Sequence, residues 1–231
     1  MKSSNKDKTV IFLTLNNLPT NWEAYHKQVL LESIGDAELI TISRIPTDMG
    51  KGINLIQTET PSANNVYKQL LRGAKLATTE FIAVAESDSL YCIDHFEFTP
   101  PRNDVFYYNL SHWSIFAWDT TMFSWRNRRG NWTLVCNRQL LIDALEERFA
   151  KYPEGTPPGA TGELGRWRTD KQLGVTPRRS EDFYTYTPII NMNHEFGLDD
   201  RAKRHWKRHG TLRAHSIPYW NTPADILKHF C

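Results

Sequence analysis

The sequence is poor in cysteine, has no long apolar run and carries no large excess of either charge. Cys92, Cys136 and Cys231 are odd in number and far apart, which excludes a disulfide framework and suggests no zinc knuckle. No stretch approaches the roughly 18–20 apolar residues needed to cross a bilayer. Lys2, Lys6 and Lys8 precede only the short apolar run Val10–Leu13. That run is below the ~7–15 residues of a secretory core, and no small-residue cleavage site follows it. A soluble protein of the cytoplasm, without a membrane partner, is the expectation. Neither an internal repeat nor a low-complexity tract interrupts the 231 residues.

What is present can build a core. Apolar residues make up 40% of the chain and aromatics 12%, which excludes disorder, and the length suggests one domain. The net charge of +2 hides an asymmetry: residues 1–115 carry 10 Lys and Arg against 13 Asp and Glu, whereas residues 116–231 carry 18 against 13. The excess gathers late, in Arg201, Lys203, Arg204, Lys207 and Arg208 around Trp206. A basic run enclosing an aromatic suits phosphate contacts combined with base stacking. A solvated helix face is the plainer reading of the same run.

Hydrophobic periodicity divides the first half into alternating elements. Residues 1–8 read as a loose polar tail. Thr9–Asn16 is a β-branched run of the kind found in buried parallel strands, and Pro19 opens a helix to about Ser33. Glu38–Arg44 and Ile53–Gln57 read as strands, a helix starts at Pro61 or Ser62 and runs to Ala77, and Phe81–Ala85 reads as a further buried strand. This order predicts a parallel α/β sheet with right-handed crossovers. In the second half, Asp104–Trp113 is aromatic and β-prone, and Asn137 reads as the N-cap of a helix over Arg138–Ala150. Pro153–Gly165 reads as a loop, and Tyr184–Asn191 as a late strand.

The most informative segment is Glu86-Ser87-Asp88, which follows the strand Phe81–Ala85 directly. Open α/β sheets bind ligands just past the carboxyl ends of their strands, and two acids spaced i, i+2 suit a hard divalent cation that in turn holds a diphosphate.

With the opening strand, the helix containing Arg72-Gly73-Ala74-Lys75-Leu76-Ala77, the Glu80-Phe81-Ile82 strand start and this acidic tripeptide, the chain resembles the GT-A class of nucleotide-sugar glycosyltransferases, in the broad family-two-like group. The likeness is good over about residues 9–92 and one of layout beyond. It implies a single Rossmann-like α/β domain with a mostly parallel central sheet flanked by helices. Residues 9–92 would form the nucleotide-sugar half and about 104–231 the acceptor-binding half. By the resemblance, Asp88 coordinates Mn2+ or Mg2+ on the diphosphate of a donor such as a UDP-sugar, and Glu86, which stands where the class has its first Asp, faces the ribose or the metal. Thr14 and Asn16 match the positions that receive base and ribose. Lys68 would meet the base or phosphates, although Lys68 and Asn65 also read as a solvated helix surface. His194, after the last strand, stands where the class has a further metal ligand.

A carboxylate must deprotonate the acceptor hydroxyl as the anomeric carbon is displaced. Glu163, in Gly162-Glu163-Leu164, matches the first acid of the class's Gly-Glu-Asp-like element, while Leu164 replaces the second. Asp119 beside Trp118 is the competing base, because an acid flanked by an aromatic can have a raised pKa. The layout is also similar to small phage-type enzymes that glycosylate hydroxymethylated pyrimidines in DNA. That similarity implies a DNA acceptor held by Arg201, Lys203, Arg204, Trp206, Lys207 and Arg208, with the target base out of the stack. Two other readings remain: a glycosyltransferase acting on a cell-surface glycan or small molecule, and a nucleic-acid-binding module with an inactive α/β domain.

Overall fold

The structure, a computed structural model, describes residues 5–230 apart from Arg126, Pro158, Gly159, Thr161 and Asp199, and for Asp200 and Arg201 the backbone course alone. In chain order the first elements are β1 (Lys8–Leu13), α1 (Thr20–Ile34), β2 (Glu38–Ser43), β3 (Ile53–Ile56), α2 (Ala63–Leu76) and β4 (Phe81–Glu86). There follow β5 (Ser89–Leu90), α3 (Ile93–Glu97), β6 (Val105–Asn109), β7 (His112–Phe116), β8 (Asp119–Trp125) and β9 (Leu134–Asn137). The last elements are α4 (Arg138–Lys151), α5 (Trp167–Leu173), β10 (Arg179–Phe183), β11 (Ile189–Asn193), α6 (Asp200–Lys203), β12 (Leu212–Ala214) and α7 (Pro223–Leu227).

The described residues form a seven-stranded sheet in the order β10-β6-β9-β4-β1-β2-β3 and a five-stranded sheet in the order β12-β8-β7-β11-β5. In the larger sheet β3, β2, β1 and β4 are mutually parallel, β10 runs parallel to β6, and only β9 opposes its neighbours. The α/β class and the mostly parallel central sheet flanked by helices are therefore as expected.

Alternation along β1 explains the layering. Ile11 points to one face, where α2 contributes Tyr67, Leu70 and Ala74 and α4 contributes Leu141, Ala144 and Leu145. Val10 and Phe12 point to the other, against Leu30 and Ile34 of α1 and Phe96 of α3. Gly73 lets α2 approach β1 closely, since a Cβ there would lie 2.9 Å from the Ile11 side chain. Trp22, at the other end of α1, enters a third cluster with Ile190 and Met192 of β11 and Ile226 and Leu227 of α7. Helix α1 is thus shared between the two sheets.

Several boundaries differ from the sequence expectation. Residues 5–8 are not a loose tail: Asn5 is buried, its N–H donates to the Asp36 carboxylate (2.7 Å), and Lys8 already belongs to β1. Strand β1 stops at Leu13 because Asn16 turns the chain with a left-handed φ of 52°. The β-prone stretch 104–113 is not one strand; it breaks at Leu110-Ser111, where the chain leaves the larger sheet as β6 and enters the smaller as β7. The late strand begins only at Ile189, as β11, and Tyr184 and Tyr186 are exposed in the link from β10, a strand the sequence reading does not include. Helix α4 begins as expected, the Asn137 side chain accepting from the N–H groups of Gln139 and Leu140. Strands from residues 9–92 and from 104–231 share the larger sheet.

Candidate functional site

The acidic tripeptide lies at the corner between the two sheets. Strand β4 ends at Glu86, Ser87 and Asp88 turn, and β5 begins at Ser89 in the smaller sheet. This turn is held from behind by its backbone. Trp22 Nε1 donates to the Ser87 carbonyl (2.8 Å), and His26 Nε2 donates to the carbonyls of Glu86 (3.2 Å) and Ser89 (3.0 Å). The N–H of Met192 on β11 donates to the Asp88 carbonyl (2.7 Å), and that of Glu86 to the Tyr91 hydroxyl (2.9 Å). Burial holds His26 at about 4, so the ring is neutral and acts here as a fixed donor. Four carbonyls in sequence are thereby tied to α1 and β11, which leaves the carboxylates facing outward.

They face a cleft of about 250 Å³ at the carboxyl ends of β4, β1 and β2. Glu86, Ser87 and Asp88 line it together with Leu13, Thr14, Leu15 and Ile42. Pro61, Ser62, Asn65, Val66 and Gln69 come from the start of α2, and His194, Phe196, Gly197 and Leu198 from the segment after β11. The strands deliver these residues in register: Leu13 pairs with Ile42 on one side and with Glu86 on the other. Burial and the neighbouring Asp88 carboxylate push the Glu86 carboxyl well above the usual range. Asp88 accepts from the Ser89 hydroxyl (3.1 Å), and its other oxygen lies 3.8 Å from His194 Nε2.

That separation is too long for a hydrogen bond, yet two ligands about 2.1 Å from one cation can stand up to roughly 4 Å apart. The hydrogen bonding of His194 argues otherwise for the ring. Its Nδ1 accepts from the Phe196 N–H (3.2 Å), so in the neutral ring the proton sits on Nε2, the nitrogen that faces Asp88. A metal-bound histidine has the opposite arrangement, donating its second N–H and using the remaining lone pair. Among the described residues no group of three or more His, Cys, Asp or Glu side chains could hold a metal ion. Asp88 thus fits a cation shared with a diphosphate and water, while His194 fits an N–H donor to an anion.

The other sequence candidates are dispersed. Thr14 lines the cleft, and its hydroxyl accepts from the Asn16 N–H (3.0 Å). Asn16 itself braces the following loop, accepting from the N–H groups of Arg44 and Ile45 and donating to Thr47. Lys68 is paired with Glu59 (3.4 Å) and does not line the cleft. Glu163 is likewise outside it, its carboxylate 2.9 Å from Arg166. Asp119 lies in the smaller sheet. Burial raises its carboxyl, but the Thr121 N–H and hydroxyl and His209 Nε2 (2.7 Å) outweigh that and hold it at about 2, contrary to the raised value expected beside Trp118. Such a carboxylate is a poor proton acceptor.

In the basic segment only Asp200–Lys203 is helical. Lys203, Arg204, Trp206 and Arg208 are exposed, and the Arg204 guanidinium lies 4.8 Å from the Trp206 ring centre. Lys207 Nζ donates to Asn193 Oδ1 (2.5 Å), one residue before His194, and the Arg201 side chain lies outside the described residues.

Sequence reasoning missed the amides of the cleft. Gln57, Asn65 and Gln69 are all buried and joined by hydrogen bonds, although Asn65 had read as helix surface. The available signal was the i, i+4 spacing of Asn65 and Gln69, which puts them on one helix face.

No protein-family model and no curated protein matches the chain. Among solved structures it is similar to a glycosyltransferase involved in the glycosylation of the major capsid of PBCV-1, with 10% identity, a TM-score of 0.49, and 85% of this chain and 97% of that one covered. It is also similar to the inositol-1-phosphate CTP transferase from T. maritima, with 11% identity, a TM-score of 0.49, and coverage of 87% and 95%. A mannosyltransferase from Pyrobaculum calidifontis in complex with GDP-Man and Mn2+ is 13% identical over 87% of this chain and 59% of its own, at a TM-score of 0.44.

Proposed function

We propose that the protein is a glycosyltransferase that moves a sugar from a nucleoside diphosphate sugar to a hydroxyl group. The observation that carries this reading is the polarity of the cleft. One end, under α2, is apolar and amide-lined, through Ile42, Pro61, Val66 and Gln69, and suits a flat nucleobase. The other end holds Asp88 and His194, one for a cation and one as an N–H donor, and suits a diphosphate. The register row Ile42, Leu13, Glu86 spans about 10 Å at the usual strand spacing, the scale of an extended nucleoside diphosphate. In the reaction the acceptor oxygen bonds to the anomeric carbon, the bond from that carbon to the diphosphate breaks, and the hydroxyl proton passes to a base. Mn2+ or Mg2+ on Asp88 would offset the charge developing on the leaving diphosphate. His194 Nε2–H would donate to the same oxygens, in place of the ligand role expected from the sequence.

The test is incubation with UDP- and GDP-sugars, Mn2+ or Mg2+ and a panel of hydroxyl acceptors, followed by mass spectrometry. Release of nucleoside diphosphate with a matching gain of sugar mass on an acceptor supports the reading. The absence of nucleotide binding under all these conditions overturns it.

For the acceptor, the exposed Trp206 with Arg204 above it and the tether of Lys207 beside His194 favour a stacked base with its phosphates, as in hydroxymethylated DNA. Replacing Arg204, Lys207 and Arg208 together should then flatten the log-log salt dependence of duplex DNA binding by roughly two to three units. An unchanged slope moves the acceptor to a glycan or small molecule.

A further inference from the structure

Away from the cleft, five guanidinium groups converge on one open cavity of about 760 Å³. Arg129 comes from the loop after β8, Arg166 and Arg168 from the entry into α5, and Arg178 and Arg179 from the start of β10. This cavity shares no lining residue with the cleft at the ends of β4, β1 and β2. Like charges gathered from three stretches of chain repel one another, so the arrangement costs stability unless anions offset it.

Three of the five are set in place by the fold. Gly165 takes a φ of 76° and seats against β10, where a Cβ would lie 2.7 Å from the Arg179 carbonyl oxygen. The Ser180 hydroxyl donates to the Gly165 carbonyl (2.7 Å), and Arg129 donates to that hydroxyl and to Asp182. Arg178 is held by Glu147 (2.8 Å) and Arg166 by Glu163 (2.9 Å). These carboxylates stand behind the wall; among the described residues the one acid that lines the cavity is Glu181. Arg168 and Arg179 are exposed, and among the described residues neither has a carboxylate within salt-bridge distance. Trp167 stands in the same wall, 54% exposed, with Lys171 Nζ 4.7 Å from its ring centre.

We propose that this cavity binds single-stranded nucleic acid, with phosphodiesters on Arg168 and Arg179 and a base stacked on Trp167. Guanidinium forks match phosphate oxygens, and Arg166 and Arg178 keep N–H groups beyond those their carboxylates use. An exposed indole among guanidiniums adds a platform for any base, which a site for small anions does not need. A duplex keeps its bases stacked on each other and leaves none for Trp167. The surface is separate from the nucleotide cleft and from the basic segment around Trp206.

The test is fluorescence anisotropy of the full chain with a labelled DNA single strand of about eight nucleotides. Competitors are the unlabelled strand, an abasic strand of the same length and inorganic tripolyphosphate. Arg168→Gln with Arg179→Gln should weaken binding about 10-fold or more and flatten the log-log salt slope by roughly 1.4. Neither arginine is paired, so this double variant should keep the wild-type melting temperature. Trp167→Ala should weaken binding about 10-fold with the slope unchanged. The abasic strand should compete about 10-fold less well than the complete one, which decides the stacking even if Trp167→Ala does not fold. Equal competition by the abasic strand or tripolyphosphate overturns the nucleic-acid assignment and leaves a site for small anions. Binding that survives the double variant but is lost when Arg204, Lys207 and Arg208 are replaced overturns it in favour of the segment around Trp206. No binding of the strand at low salt overturns it outright.

Discussion

Asp88 is the side chain on which the proposed chemistry turns, and its substitution separates site from scaffold. Its backbone is tied to Met192, so Asp88→Asn should fold normally and lose about 10²-fold or more in turnover, with the metal-dependent part of nucleotide binding gone. Turnover with and without chelator, set beside a melting curve, checks this. Asp119 gives the opposite pattern. Its oxygens serve Thr121 and His209, so Asp119→Asn should cost about 1–2 kcal/mol in denaturant titration and change turnover less than tenfold. A fall of 10²–10⁴ in turnover with stability unchanged would restore it as the general base. At this scale Asp88, Glu86, Thr14 and His194, each placed after a strand by the sequence, share one cleft. Asn16, Lys68 and Glu163 lie outside it, held by Arg44, Glu59 and Arg166, partners that residue type does not encode.

Helix α1 does more than cover the central sheet. Its Trp22 and His26 hold the carbonyls of the acidic turn, so the shape of the site depends on a helix that contributes no residue of its own to the cleft wall. Trp22→Phe keeps the apolar bulk and removes one donor. It should lower stability by about 1–2 kcal/mol and weaken nucleotide binding. Isothermal titration against a melting curve checks both, and unchanged affinity would show that the turn holds its shape unaided. The first-half elements were readable because buried parallel strands are unbroken apolar runs, as in Val10–Leu13 and Phe81–Ala85. Strand β10, Arg-Ser-Glu-Asp-Phe, lies at the sheet edge with only Phe183 buried, so its sequence carries no strand signal.

At the scale of the whole molecule the described residues form two sheets that meet at a corner, with the candidate site in the angle between them. Sequence periodicity identifies strands but not sheet membership, so the smaller sheet and the crossings at Leu110-Ser111 and Ser87-Asp88 could not be read from it. Three buried histidines tie stability to pH. Burial lowers His26 and His112 to about 4 and His95 to about 3. An unfolded chain takes up these protons near 6.5, so the stability gained by keeping the rings neutral is full above that value. It is lost as pH falls toward 4, by up to about 1.4 kcal/mol per pH unit for each ring. Denaturant midpoints should fall from about pH 6.5 to 5, and a flat profile over that range would contradict this. The central claim is that a nucleoside diphosphate sugar occupies the cleft at the ends of β4, β1 and β2. Hydrogen–deuterium exchange with and without UDP or GDP in Mg2+ tests it most directly. The account predicts slowed exchange at residues 13–18, 61–69, 86–89 and 194–198 together. Binding that slows exchange elsewhere and leaves these four segments unchanged would contradict it.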